Sequence, residues 1–70
     1  MIVIEIQKQN EDVTCITTTH ADRNEAEQKY HQTLAYAAVS DIEAHSVVML
    51  DDYGSKIKGE VYRHSHVEVN

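Results

Sequence analysis

Hydrophobic and polar positions change period twice along this chain. Over residues 1–9 they alternate: Ile2, Ile4 and Ile6 share one face, and Val3, Glu5 and Gln7 share the other. That is the period of a half-buried strand. Gln9-Asn10-Glu11-Asp12 is polar and turn-compatible,. Residues 13–19 are dense in β-branched side chains, with Val13, Cys15, Thr17 and Thr19 on one face and Thr14, Ile16 and Thr18 on the other,. The short polar gap joins the two runs as an antiparallel hairpin. From 22 to 39 the period lengthens, and Ala26, Tyr30, Leu34, Ala37 and Ala38 form one apolar stripe at steps of three and four. That predicts a helix, with Asp22 as N-cap and Glu25 at the capping-box distance. Its small side chains suit close approach to a sheet, with Tyr30 and Leu34 as larger anchors. Glu25 and Lys29 stand in the favourable i,i+4 order,.

After Ser40-Asp41 the alternation returns. Residues 43–50 and 55–64 read as strands around the turn Asp51-Asp52-Tyr53-Gly54, where Gly54 suits a left-handed position,. Val47-Val48-Met49-Leu50 is apolar at four consecutive positions, so both faces of that strand are apolar. In the last strand Ile57, Gly59, Val61 and Arg63 share one face, and Lys56, Lys58, Glu60, Tyr62 and His64 the other. The alternation continues through 66–70, as an extension of the strand or a loose tail. The order is ββαββ, and the fold class is α+β: a four-stranded antiparallel sheet with one helix packed on one face, as a single domain over 1–70. One helix covers one side of such a sheet. The apolar third strand, with Val3 and Ile16, then leaves an uncovered patch, which marks an interface. Ile16, Val47, Met49 and Tyr62 are the expected interface residues. A homodimer formed by packing sheet faces or pairing edge strands would cover them.

Composition sharpens this picture. Twelve acidic residues against six basic ones give a net charge of −6. That disfavours direct binding of nucleic acid by phosphate neutralisation, and an anionic membrane surface. It suits solubility, or an acidic surface that meets a basic protein. No apolar run reaches the roughly 20 residues of a membrane helix. The first residues lack the basic leader and cleavage site of a signal peptide and read as a strand. With no proline and two glycines there is no linker or low-complexity segment. Cys15 is alone and lies in a strand, where it is expected as a small buried hydrophobe,. A 70-residue chain without a disulfide is left with efficient packing, a metal or oligomerisation as routes to stability,.

Five histidines are the main chemical signal. His64 and His66 fall on one face of an extended strand, Glu68 continues the row, and His45 lies on a strand that could neighbour it. Imidazole and carboxylate suit a divalent ion such as zinc, and surface histidines that titrate near neutral pH are the plainer account. His31 lies one turn from Glu27, as an acid–base couple or a surface pair. Asp51-Asp52 fits a polar turn. There is no glycine-rich phosphate loop, GxSxG or CxxC, and no proline to serve as the base of a small tautomerase,. The sequence therefore predicts no catalytic residues, no enzyme and no cofactor.

Ala26-Glu27-x-x-Tyr30-His31, the alanine-rich run ending in Val39-Ser40, His45 before the apolar strand, and Ile57-Lys58 before Tyr62 together resemble small uncharacterised proteins of bacterial phages and prophages. The resemblance spans most of the chain and carries no catalytic residue with it. It implies an accessory protein of a virus or mobile element, acting in a bacterial cytoplasm or associated with the virion. The expectation is a non-enzymatic protein that self-associates and binds a host or viral protein. The alternatives are an acidic inhibitor occupying a nucleic-acid-binding site of a host defence protein, and a histidine-based metal module.

Overall fold

A two-residue turn, Asn10-Glu11, closes the first hairpin. The structure, a computed structural model, describes residues 1–64. Its first two strands, β1 (Ile2–Gln9) and β2 (Asp12–Thr19), pair antiparallel from Gln9 with Asp12 to Ile2 with Thr19. Asn10 takes a left-handed φ of 59°, which asparagine tolerates better than most residues,. Helix α1 (Arg23–Val39) starts where Asp22 Oδ1 accepts the Asn24 N–H at 3.1 Å,. It stops at Ser40, whose Oγ donates to the Ala37 carbonyl at 3.3 Å. His64 Nε2 lies 2.8 Å from the same carbonyl oxygen. The last helical turn has no basic residue, so these two side chains occupy an end that lysine or arginine often serves.

β3 (Ala44–Leu50) and β4 (Lys56–Arg63) form the second hairpin. Asp51 Oδ1 accepts the Tyr53 and Ser55 N–H groups at 2.8 and 2.9 Å, and Gly54 takes φ 90°. The two aspartates thus serve a turn. The backbone N–H groups of Ser55 and Tyr53 hold the Asp51 carboxyl below its ordinary range. The register of β3 against β4 slips at Met49/Leu50, leaving Ile57 as an extra residue between Lys56 and Lys58,.

The sheet order is β2-β1-β3-β4, all neighbours antiparallel. β2 and β3 both run antiparallel to β1, so they are parallel to each other, and α1 carries the chain across β1 between them. A crossover of this kind has a strongly preferred hand, which selects one face of the sheet for the helix. On that face Ala26, Tyr30, Thr33 and Ala37 of α1 are buried, together with Val3, Val47 and Met49 of the strands. Met1, Leu34 and Ile57 pack at the margin of this cluster. Thr33 rather than Ala38 completes the buried helical stripe.

The architecture matches the sequence pattern, but the helix covers the face opposite to the one expected. Val47 and Met49 are 1% and 0% exposed beneath α1, so they form the core and are not free for an interface. Tyr62, opposite His45 on the helix side, is partly covered. Ile16 is on the same side and 45% exposed, because β2 projects beyond the helix. Ile57 leaves its expected row because the bulge turns it toward the core, and Lys56 moves to the opposite face beside Gly59 and Val48. Cys15 is exposed rather than buried, since seven of the eight β2 residues are exposed.

Two outcomes follow for stability. Met49→Glu places a carboxylate under the helix and is expected to abolish cooperative thermal unfolding, while Met49→Ala costs about 2–5 kcal/mol by chemical denaturation. Gly54→Ala is expected to cost about 1 kcal/mol through backbone strain alone, since nothing lies within 4 Å of the added Cβ,.

Candidate functional site

The face turned away from α1 is where large apolar side chains remain without a covering layer among the described residues. Ile2, Ile4 and Ile6 of β1 stand beside Val48 and Leu50 of β3, all partly exposed. Val61 on β4 is 49% exposed and Val13 on β2 is 59% exposed. Cys15, Thr17 and Thr19 complete the β2 side. At ordinary strand spacing and rise the face has a footprint of about 500 Å². Soluble monomers rarely expose a larger continuous apolar patch than this.

Charge is distributed unevenly about the sheet. Within the four described strands the open face carries Lys8, Lys56 and Arg63 and no acidic side chain. Glu5, Asp12 and Glu60 all fall on the helix side. Lys8 sits at the rim, donating to the Asn10 carbonyl at 2.6 Å and pairing with Glu43 at 3.5 Å. An acidic protein thus presents an apolar face with a basic rim.

Beneath the helix lies the second concentration of chemistry. His45 is fully buried. Its Nε2 is 2.5 Å from Glu5 Oε2, its Nδ1 is 2.9 Å from Ser40 Oγ, and Tyr36 meets its ring edge-on at 5.2 Å. Gln7 Nε2 donates to Glu5 Oε2 at 2.9 Å. Burial by itself raises the Glu5 carboxyl. The hydrogen bonds from Gln7 and His45, with the charges of His45 and Lys29, outweigh it and leave the group below its ordinary 4.5,.

A hydroxyl, an imidazole and a carboxylate in sequence are the outline of a nucleophilic triad. Here the imidazole is sealed in the core, and Ser40 Oγ is also held against the Ala37 carbonyl at the helix end. The cluster ties α1, β1 and β3 together, and its geometry is that of a structural clamp. A single signal in the sequence marks it: the β1 row that starts at Val3 turns polar at Glu5 and Gln7, so a buried partner is needed for Glu5.

The other candidate residues fall in separate places. His45 and His64 lie on the helix side, each engaged by the helix end; His66 and Glu68 are outside the described residues. Among the described residues no three potential ligands gather as a metal site. His31 Nε2 is 3.3 Å from Glu27 Oε1 on the surface. Glu27 also meets Lys58 at 2.5 Å and Arg23 at 3.3 Å, and the Lys58 bond leads in holding its carboxyl low, which makes it a poor base. Among the described residues no helix is long and apolar enough to cross a membrane. The chain matches no protein-family model, and neither curated sequences nor solved structures give a significant match.

The Glu5 clamp has a pH signature. A carboxyl depressed in the folded state adds stability that is fully present above its unfolded value, and this is lost as pH falls through the lower folded value. Urea denaturation between about pH 6 and about pH 3 should therefore show a steeper acid loss in the wild type than in Glu5→Gln. At neutral pH, Glu5→Gln is expected to be less stable by about 2 kcal/mol, the scale of a charge-assisted hydrogen bond.

Proposed function

We propose that this is a non-enzymatic interaction protein, which self-associates through its sheet and binds another protein on the open sheet face. The observation that carries this reading is the composition of that face: Ile2, Ile4, Ile6, Val48 and Leu50 at its centre, with basic residues and no acidic ones in its strands. Exposing that row to water is unfavourable, at about 25 cal/mol per Å² of apolar surface. A partner chain with an apolar centre and acidic margins complements it. In the phage setting expected from the sequence, such a partner would be a host or viral protein of a bacterial cytoplasm.

The inhibitor reading asks the acidic groups to meet a basic surface instead. Several of those groups are already engaged within the chain: Glu5 with His45, Glu27 with Lys58 and Arg23, Glu43 with Lys8, and Asp51 with its own turn. Among the described residues the isoleucines of the open face have no such internal partner, which favours it as the binding surface.

Photo-crosslinking in the producing cell tests the proposal. A photoreactive residue at Ile4 or Val48 is expected to give a discrete crosslinked protein, identified by mass spectrometry, that is absent when the probe replaces Tyr53 at the far hairpin tip. Ile4→Lys, on an uncovered face, is expected to abolish the Val48 crosslink while keeping the wild-type circular dichroism. No discrete crosslink from either open-face position, or equal yield from Tyr53, would overturn the proposal.

A further inference from the structure

The two edges of the sheet are built differently. The β4 edge has a bulge at Ile57 and carries Lys56, Lys58, Glu60 and Arg63. Bulges and charges of this kind keep a strand edge from pairing with another chain. The β2 edge has neither. From Val13 to Thr19 it contains no charged residue and no proline, its regular pairing with β1 runs the whole length, and it projects beyond the helix. On its helix side a shallow cleft of about 450 Å³, lined by Gln7, Gln9, Asp12, Thr14, Asp41 and Ile42, takes the place of a covering element.

The backbone groups on this edge can be assigned. Met1 and His20 exchange both hydrogen bonds, at 2.9 and 2.8 Å. Antiparallel pairs alternate, so even-numbered residues of β2 turn their N–H and C=O toward β1. Val13, Cys15, Thr17 and Thr19 turn theirs outward.

We infer that the β2 edge is a homodimer interface, at which β2 of a second copy pairs antiparallel about a two-fold axis at Ile16 and extends the sheet to eight strands. An axis perpendicular to the sheet keeps each face continuous, so odd residues meet odd ones and even residues meet even ones. With Ile16 on the axis, Val13 pairs with Thr19 of the second copy and Cys15 with Thr17, giving about eight backbone hydrogen bonds. On the helix side Ile16 meets Ile16, Thr14 meets Thr18, and Asp12 at one end meets His20 at the other. Each of these is a favourable cross-strand combination. Moving the axis to Cys15 sets Asp12 opposite Thr18 and Ile16 opposite Thr14, and loses both the apolar pair and the Asp–His pairs. The strand is complementary to itself in one register, which singles out a second copy as the occupant. The interface rests on the self-association proposed above and gives it an edge, and it does not depend on the open face.

Native mass spectrometry and sedimentation of the full chain test the inference. The wild type is expected as a dimer. Thr17→Pro removes an outward N–H that serves no bond within the chain and is expected to give a monomer with unchanged circular dichroism. Ile16→Lys, at a position 45% exposed, sets like charges on the axis and is expected to do the same should the proline variant fail to fold. Cys15→Ser combined with Ile16→Cys is expected to form a disulfide-linked dimer on mild oxidation faster than the wild type, in which Cys15 faces Thr17. A monomeric wild type, or a dimer that survives the folded variant, would overturn the inference. Faster crosslinking through native Cys15 would overturn the register. A monomeric wild type would also overturn the self-association of the proposed function, whereas binding of another protein at the open face is read separately from the Ile4 and Val48 crosslinks.

Discussion

The position of His45 constrains the rest of the fold. Its ring is fully buried, with Glu5 on one nitrogen and Ser40 on the other. Leaving either nitrogen unpaired in the core costs on the order of 1–3 kcal/mol, so the three residues are fixed as a unit. Glu5 fixes which side of β1 faces inward. Ser40 fixes where the helix ends, and Tyr36 lays the last helical turns across the ring. Once Glu5 points inward, alternation turns Ile2, Ile4 and Ile6 outward. The buried polar clamp and the partly exposed isoleucine row are two sides of the same strand.

That arrangement divides the apolar side chains of a short chain between two faces and covers one. A domain of this size buries a modest fraction of its surface, and ordering its residues nearly offsets what a single small core supplies. The helix contributes mostly alanine, so its gain comes from close approach of Ala26 and Ala37 to Val3, Val47 and Met49 rather than from large side chains. Part of the remaining stabilisation is electrostatic, as in the Glu5–His45 pair. The large aliphatics of β1 and the far side of β3 are only partly buried in the single chain and contribute less than the core.

Most of the fold was legible in the sequence. Alternation located the strands, the Asp22 cap and the small-residue stripe located the helix, and Asp51 to Gly54 located the second turn. The choice of face was not legible. A period of two says which residues share a side, but the hand of the β2–α1–β3 crossover and the register of the first hairpin decide which side the helix takes. Hydropathy alone puts Val3, Ile16, Val47, Met49 and Tyr62 on the uncovered face, whereas all five lie on the helix side. Ile57 was misplaced for a different reason: a bulge shifts the alternation by one without any mark in composition. Ser40 and Glu5 lie 5 and 40 positions from His45, and only the polar break after Val3 hinted that Glu5 needed an inward partner.

The net charge of −6 bears on how such a chain can meet another copy of itself. Two acidic protomers repel, yet the repulsion depends on where their acids lie. Between Val13 and Thr19 the β2 edge has none, and its terminal Asp12 has a histidine opposite it in the self-complementary register. The Asp51 turn belongs to the β3–β4 hairpin, which β1 separates from that edge. At physiological ionic strength, fields between exposed charges decay over about 8 Å. Pairing along Val13 to Thr19 brings no acidic side chains of these residues together. The proposed pairing would leave the open face uncovered and join two copies of it into one wider apolar surface. A second protein meeting the surface of the proposed dimer would engage two isoleucine rows on one continuous sheet, and the edge would strengthen binding at the face without contributing a contact to it.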